Sequence, residues 1–203
     1  MPAVAVEPAL AGLVLAGGQS TRMLRDKAAI EVAGETQLAR AVRLVRGVTA
    51  DTFVSVREEQ RAEATRARWP QIIDRLEGVG PAAGILAALE AHPDRAWLVV
   101  AVDLPLLDAP TLAHLVARRD PTVVATAYRS AGEGLPEPLC AIGEPASRAP
   151  LAAFIAGGRS CPRKFLLSHG AKLIELEAPG ALANVNTPAE LAALTGVAPT
   201  GAA

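Results

Sequence analysis

Short runs rich in valine, isoleucine and leucine alternate along this chain with longer segments whose apolar residues recur at helical spacing. Such alternation describes βαβ units, whose strands lie parallel and are covered by helices on the faces of the sheet. The pattern predicts strands over residues 12–16, 51–56, 71–73, 96–102, 122–127, 139–142 and 172–176. Helices are expected over 38–45, 58–69, 82–91, 110–117, 151–155, 164–167 and 188–194. Pro81 suits the first turn of the third helix because a proline lacks an N–H that this turn would not use, and Thr187 is a cap for the last. Hydrophobic residues make up 51% of the chain and aromatic residues only 3%, which fits helices packed on an aliphatic, predominantly parallel sheet. At 203 residues the chain is expected to form one α/β domain over 10–195, with an extension at 1–9 and a flexible tail at 196–203.

The 20 Lys and Arg residues against 21 Asp and Glu leave a formal charge of −1, so no overall field exists to hold a polyanion, and nucleic acid is not an expected partner. No apolar run approaches the roughly 20 residues of a membrane helix, and residues 1–10 carry Glu7 but no basic side chain, unlike a secretory leader. A cytoplasmic location is expected. Cys140 and Cys161 fit two thiols in a reducing compartment, or a pair meeting across a site. His92, His114 and His169 are scattered singly, so no structural metal is expected.

Segment 13–27 reads Leu-Val-Leu-Ala-Gly-Gly-Gln-Ser-Thr-Arg-Met-Leu-Arg-Asp-Lys, a strand entering a glycine pair and then a loop with three cationic side chains. In an open parallel sheet ligands bind beyond the carboxyl ends of strands, where this loop must lie. Gly17 and Gly18 allow the backbone to approach a phosphate, and Arg22 and Lys27 can offset its charge. The phosphate-loop and dinucleotide glycine patterns are both absent. A tight turn with solvated basic side chains fits the same residues. A second signal is the apolar run from Trp97 to Val102, which ends in Asp103-Leu104-Pro105. A carboxylate at that strand exit can hold Mg²⁺, a hard cation that shares its oxygen ligands with substrate phosphates, or it can cap a turn before proline. Asp74, at the end of another strand, has the same two readings.

Four motifs in order resemble the molybdenum cofactor guanylyltransferases, members of the wider group of Rossmann-like nucleotidyltransferases with a mixed sheet. They are Leu-Ala-Gly-Gly with Arg22-Met23 and Asp26-Lys27, Gly80-Pro81-Ala82-Ala83-Gly84-Ile85, Asp103-Leu104-Pro105, and Asn184-Val185-Asn186-Thr187-Pro188. The resemblance spans residues 13–191. It implies that Leu15, Ala16, Gly17, Gly18 and Gly80 line the nucleotide and that Lys27 contacts its phosphates. It further implies that Asp74 contacts the nucleoside, that Asp103 holds Mg²⁺, that Arg22 faces the acceptor, and that Asn184 and Asn186 lie near the acceptor or the metal. Leu24 stands where the family usually has glycine, and Ser55 where it has asparagine. Arg159, Arg163 and Lys164 form either a basic edge for an anionic acceptor or a solvated helix face.

The implied reaction moves GMP from MgGTP to the terminal phosphate of molybdopterin or its molybdenum form and releases pyrophosphate, with Arg22, Lys27 and Asp103 as the catalytic set. Transient contact with proteins that deliver the pterin would accompany it. The rivals are a cytidylyltransferase or nucleotide-sugar enzyme of the same chemistry, and a silent nucleotide-binding module. The glycine loop at 80–85 favours guanine.

Overall fold

A computed structural model describes residues 7–17, 26–32, 34–130, 132–178, 180–185, 190 and 192. Strand β1 (Leu10–Leu15) is followed by a 3-10 turn (Lys27–Ala29), a ribbon of β2 (Glu31–Val32) and β3 (Glu35–Thr36), and helix α1 (Gln37–Arg46). Next come β4 (Thr52–Arg57), a 3-10 turn (Glu58–Gln60), the single-turn α2 (Ala64–Ala67), β5 (Gln71–Asp74), α3 (Pro81–Ala91) and β6 (Ala96–Ala101). The remainder holds α4 (Ala109–Ala117), β7 (Ala125–Arg129), β8 (Pro136–Gly143), a 3-10 turn (Pro145–Ser147), α5 (Arg148–Ala156), α6 (Pro162–Ser168) and β9 (Lys172–Ile174).

Seven strands form one sheet in the order β5-β4-β1-β6-β8-β7-β9, while β2 pairs with β3 separately. Strand β8 runs antiparallel to both of its neighbours, and the other pairings in the large sheet are parallel. Both faces of the centre are covered, which is why its strands read as unbroken apolar runs. Val14, Val54, Leu98 and Val100 pack with Leu38, Ala41, Val42 and Val45 of α1 and Leu112 and Leu115 of α4. Leu13, Trp97 and Val99 face the other way, towards Leu86 and Leu89 of α3, Phe154 of α5 and Phe165 of α6. No helix among the described residues is long and apolar enough to cross a membrane.

Local chemistry sets the helix starts. Thr36 Oγ1 accepts from Ala39 N at 3.2 Å to cap α1, and Asp108 Oδ1 accepts from Thr111 N at 2.9 Å to cap α4. Helix α3 opens on Pro81 after Gly80, whose φ of 68° favours glycine. Gly84 lets α3 lie close to the sheet: a Cβ there would sit 2.3 Å from Ser55 Oγ of β4.

The structure corrects several sequence expectations. Residues 58–69 are two short turns rather than one helix, because the segment has no apolar stripe to bury and the Gln60 side chain instead accepts from Arg57 N at 3.2 Å. The strand expected from 122 begins at Ala125: the Asp120 carboxylate accepts from both Thr122 N and Thr122 Oγ1, which commits residues 120–122 to a turn. The β2–β3 ribbon has strands of two residues, too short for any period to show. Strand β9 stops at Ile174. The expected helix at 188–194 and tail at 196–203 fall largely or wholly outside the described residues.

Candidate active site

Because β1, β4, β5 and β6 are mutually parallel, their carboxyl ends emerge on one edge of the sheet. Ala16 and Gly17 follow β1, with Ala16 N donating to Ser55 O of β4 at 3.1 Å. Val102 follows β6 and donates to Leu15 O at 3.3 Å, so Asp103 leaves the sheet beside the exit of β1. Asp74 ends β5, in register with Arg57 of β4. It lies two strands from β1, or about 10 Å at the usual interstrand spacing.

Lys27 reaches this edge from the far end of the glycine loop. Its ammonium donates to Asp103 Oδ2 at 3.1 Å and to Val185 O at 3.0 Å, while Val185 N donates to Asp103 O at 3.2 Å. The two charged side chains are 20% and 23% exposed, accessible to a ligand yet partly shielded from water. Ile30, Val32 and Val185 pack together beneath them, which fastens the 181–185 segment to the Lys27 turn and brings the exposed Asn184 to the same rim. The hollow lined by Lys27, Gln37, Asp103, Pro105 and Val185 has a volume of about 20 Å³, room for a water molecule but not a nucleotide.

Two arginines that sequence reasoning passed over hold this edge in shape. Arg66, 1% exposed, donates from Nε and Nη2 to Ala16 O at 3.0 and 2.7 Å. The same guanidinium grips Asp26 in a fork, Nη1 to Oδ2 at 2.5 Å and Nη2 to Oδ1 at 2.7 Å, and also pairs with Glu63. Burial pulls its pKa down, but the hydrogen bond and charge of Asp26, joined by Glu63, outweigh that and raise it above the ordinary arginine value. Arg40 of α1 donates to Leu104 O at 3.3 Å and to Leu107 O, pinning the loop that follows Asp103. No spacing in the sequence sets either arginine apart from its neighbours.

Among the other candidates, Leu15, Ala16 and Gly17 lie at the exit of β1, and Gly80 immediately precedes α3. The Asp74 carboxylate accepts from Leu76 N at 3.0 Å; burial raises its pKa, against the Leu76 N–H and the Arg57 charge. Gly18, Arg22, Leu24 and Asn186 lie outside the described residues. The basic-edge reading of Arg159, Arg163 and Lys164 loses its central member, because the Arg163 guanidinium is shared between Glu133 at 3.3 Å and Glu137 at 3.4 Å. Arg159 stacks over the Phe154 ring at 4.2 Å. Cys140 is buried in β8 and Cys161 is exposed ahead of α6; both are free, so they do not meet across the site.

Residues 12–173 match the MobA-like NTP transferase domain family. A molybdenum cofactor guanylyltransferase of Pseudomonas fluorescens is 35% identical over 91% of this chain and 93% of its own length. A molybdenum cofactor biosynthesis bifunctional protein of Synechocystis is also 35% identical, over 88% of this chain and 52% of its own length, so this chain spans about half of that relative. Among solved structures, molybdopterin-guanine dinucleotide biosynthesis protein A from Archaeoglobus fulgidus is 25% identical with a TM-score of 0.72, covering 89% of this chain and 94% of that one.

Proposed function

We propose, since this chain belongs to the MobA-like NTP transferase family, that it transfers GMP from magnesium-bound GTP to the terminal phosphate of molybdopterin or its molybdenum form, releasing pyrophosphate. One observation carries the reading: Lys27 and Asp103 pair at the adjoining exits of β1 and β6, in a chain 35% identical along most of its length to a molybdenum cofactor guanylyltransferase.

Asp103 is the residue that would hold Mg²⁺. Among the described residues no group of three or more His, Cys, Asp or Glu stands ready for a metal. A lone carboxylate nevertheless suits this ion, which keeps several waters and takes substrate phosphates as further ligands. When bound, the cation supplies charge neutralisation for the phosphates and the departing pyrophosphate. Leu15, Ala16 and Gly17 would line the nucleotide, with the Gly17 backbone close to the phosphates. The Lys27 ammonium, transferred from Asp103 to a triphosphate oxygen, would offset negative charge as it shifts in the transition state. The Asp74 carboxylate would accept a hydrogen bond from the nucleoside beside Gly80, and Asn184 would face the acceptor.

An ionised acceptor-phosphate oxygen forms the bond to the α-phosphorus while the bond from that phosphorus to the bridging oxygen of pyrophosphate breaks. No side chain has to remove a proton, so the protein's contribution is alignment and charge stabilisation. A cytoplasmic setting fits a GTP-consuming reaction and two free thiols. Incubation with MgGTP and molybdopterin should yield pyrophosphate and the dinucleotide. Turnover with CTP in place of GTP would move the assignment to cytidylyl chemistry, and turnover with neither would refute it.

A further inference from the structure

We propose that Arg66 is a positioning residue for nucleotide binding, one guanidinium that sets the distance between the two ends of the glycine loop. This rests on the nucleotidyltransferase reading above. The ends are Ala16, whose carbonyl is the last before Gly17, and Asp26, whose carboxylate precedes Lys27; Arg66 donates to both. A guanidinium is planar and its donors are fixed relative to each other, so acceptors it binds on two sides are held at a set separation and angle. Asp26 also accepts from Ala28 N at 3.1 Å, which carries the constraint into the 3-10 turn that aims Lys27 at Asp103. Neutralising Asp26 serves a second purpose, because an unpaired carboxylate next to Lys27 would repel a triphosphate. Burying a charge is a poor way to gain stability, since the lost hydration offsets much of the attraction. Its worth here is the geometry it imposes on the residues proposed to meet the phosphates.

The test compares Arg66→Lys, which keeps the charge but loses the fork, with Glu63→Gln, which removes a second carboxylate charge from Nη1 while leaving the Asp26 and Ala16 acceptors in place. Affinity for MgGTP is titrated directly, KM and kcat are measured, and melting temperature is recorded for each protein. Arg66→Lys should weaken GTP binding by about tenfold or more, the scale of a small misplacement of contacting groups, with KM rising in step. Glu63→Gln, whose carboxylate is 44% exposed, should lose little thermal stability and bind GTP within about twofold of wild type. Asp26→Asn, whose side chain lies nearer solvent, should reproduce the affinity loss and gives the answer if Arg66→Lys does not fold. The double variant Arg66→Lys with Asp26→Asn should be no worse than the weaker-binding single one, as expected for groups acting through one contact. Wild-type affinity in folded Arg66→Lys or folded Asp26→Asn, or losses in all variants that merely follow melting temperature, would overturn the proposal. A wild-type protein that binds no nucleoside triphosphate would overturn the proposed function first, and this inference with it.

Discussion

Glu58 and Arg61 repeat the spacing of Glu63 and Arg66, yet their fates differ. The first pair is 66% exposed on both sides, whereas Arg66 is 1% exposed and ties Ala16 to Asp26. An exposed pair contributes roughly 0–1 kcal/mol, and nothing in a three-residue interval tells which arginine will be covered. Asp103 is the position where a structural and a metal-holding role separate most cleanly. Asp103→Asn should cost about 1 kcal/mol of stability through its weakened contact with Lys27, with melting otherwise near normal. Turnover should fall by about 10²-fold or more, and Mg²⁺ should no longer strengthen GTP binding. Metal-dependent rates within a few-fold of wild type would move the search for the ligand to Asp74 and Asn186. The thiols also separate: burial pushes Cys140 up to about 12, so at pH 8 it remains a covered, protonated thiol. Iodoacetamide should label the exposed Cys161 alone in the native protein and both cysteines after denaturation, as mass spectrometry would show.

At the scale of elements, the apolar strands and amphipathic helices were the readable ones. Helix α1 presents Leu38, Ala41, Val42 and Val45 on one face, and β6 is covered on both faces, so burial follows from periodicity alone. Segment 58–69 failed as a predicted helix because local propensity without an apolar face does not commit twelve residues to one conformation. Helix α3 depends on a detail that no period reveals, the absence of a Cβ at Gly84. Gly84→Ala should lower stability by about 1–2 kcal/mol as the new methyl meets Ser55 and Leu15, even though alanine favours helix. Adding Ser55→Ala removes the oxygen that would lie 2.3 Å from the new methyl and should recover part of that loss. Denaturant titration of the two variants measures both effects, and an undiminished Gly84→Ala midpoint would mean that the sheet yields.

Across the whole molecule, the parallel arrangement of β5, β4, β1 and β6 gathers Asp74, Gly17 and Asp103 on one edge from distant parts of the sequence. If that edge receives the donor nucleotide, GTP with Mg²⁺ should raise the melting temperature more than CTP, UTP or ATP. A ligand at about 100 times its dissociation constant adds roughly 2.7 kcal/mol, equivalent to about 5–10 °C for a chain of this size. Equal shifts with all four nucleotides would remove the guanine preference. The sequence alone determined the α/β class and the places of the main strands, with Asp103 just beyond the exit of β6, because burial on both sheet faces writes continuous apolar runs. Tertiary structure decided that Lys27 rests on Asp103, that Val185 returns to join them, and that Arg66 out of several similar arginines is buried between the ends of the glycine loop. Those outcomes depend on side chains reaching across 158, 76 and 40 positions of sequence, separations that spacing within a motif does not encode.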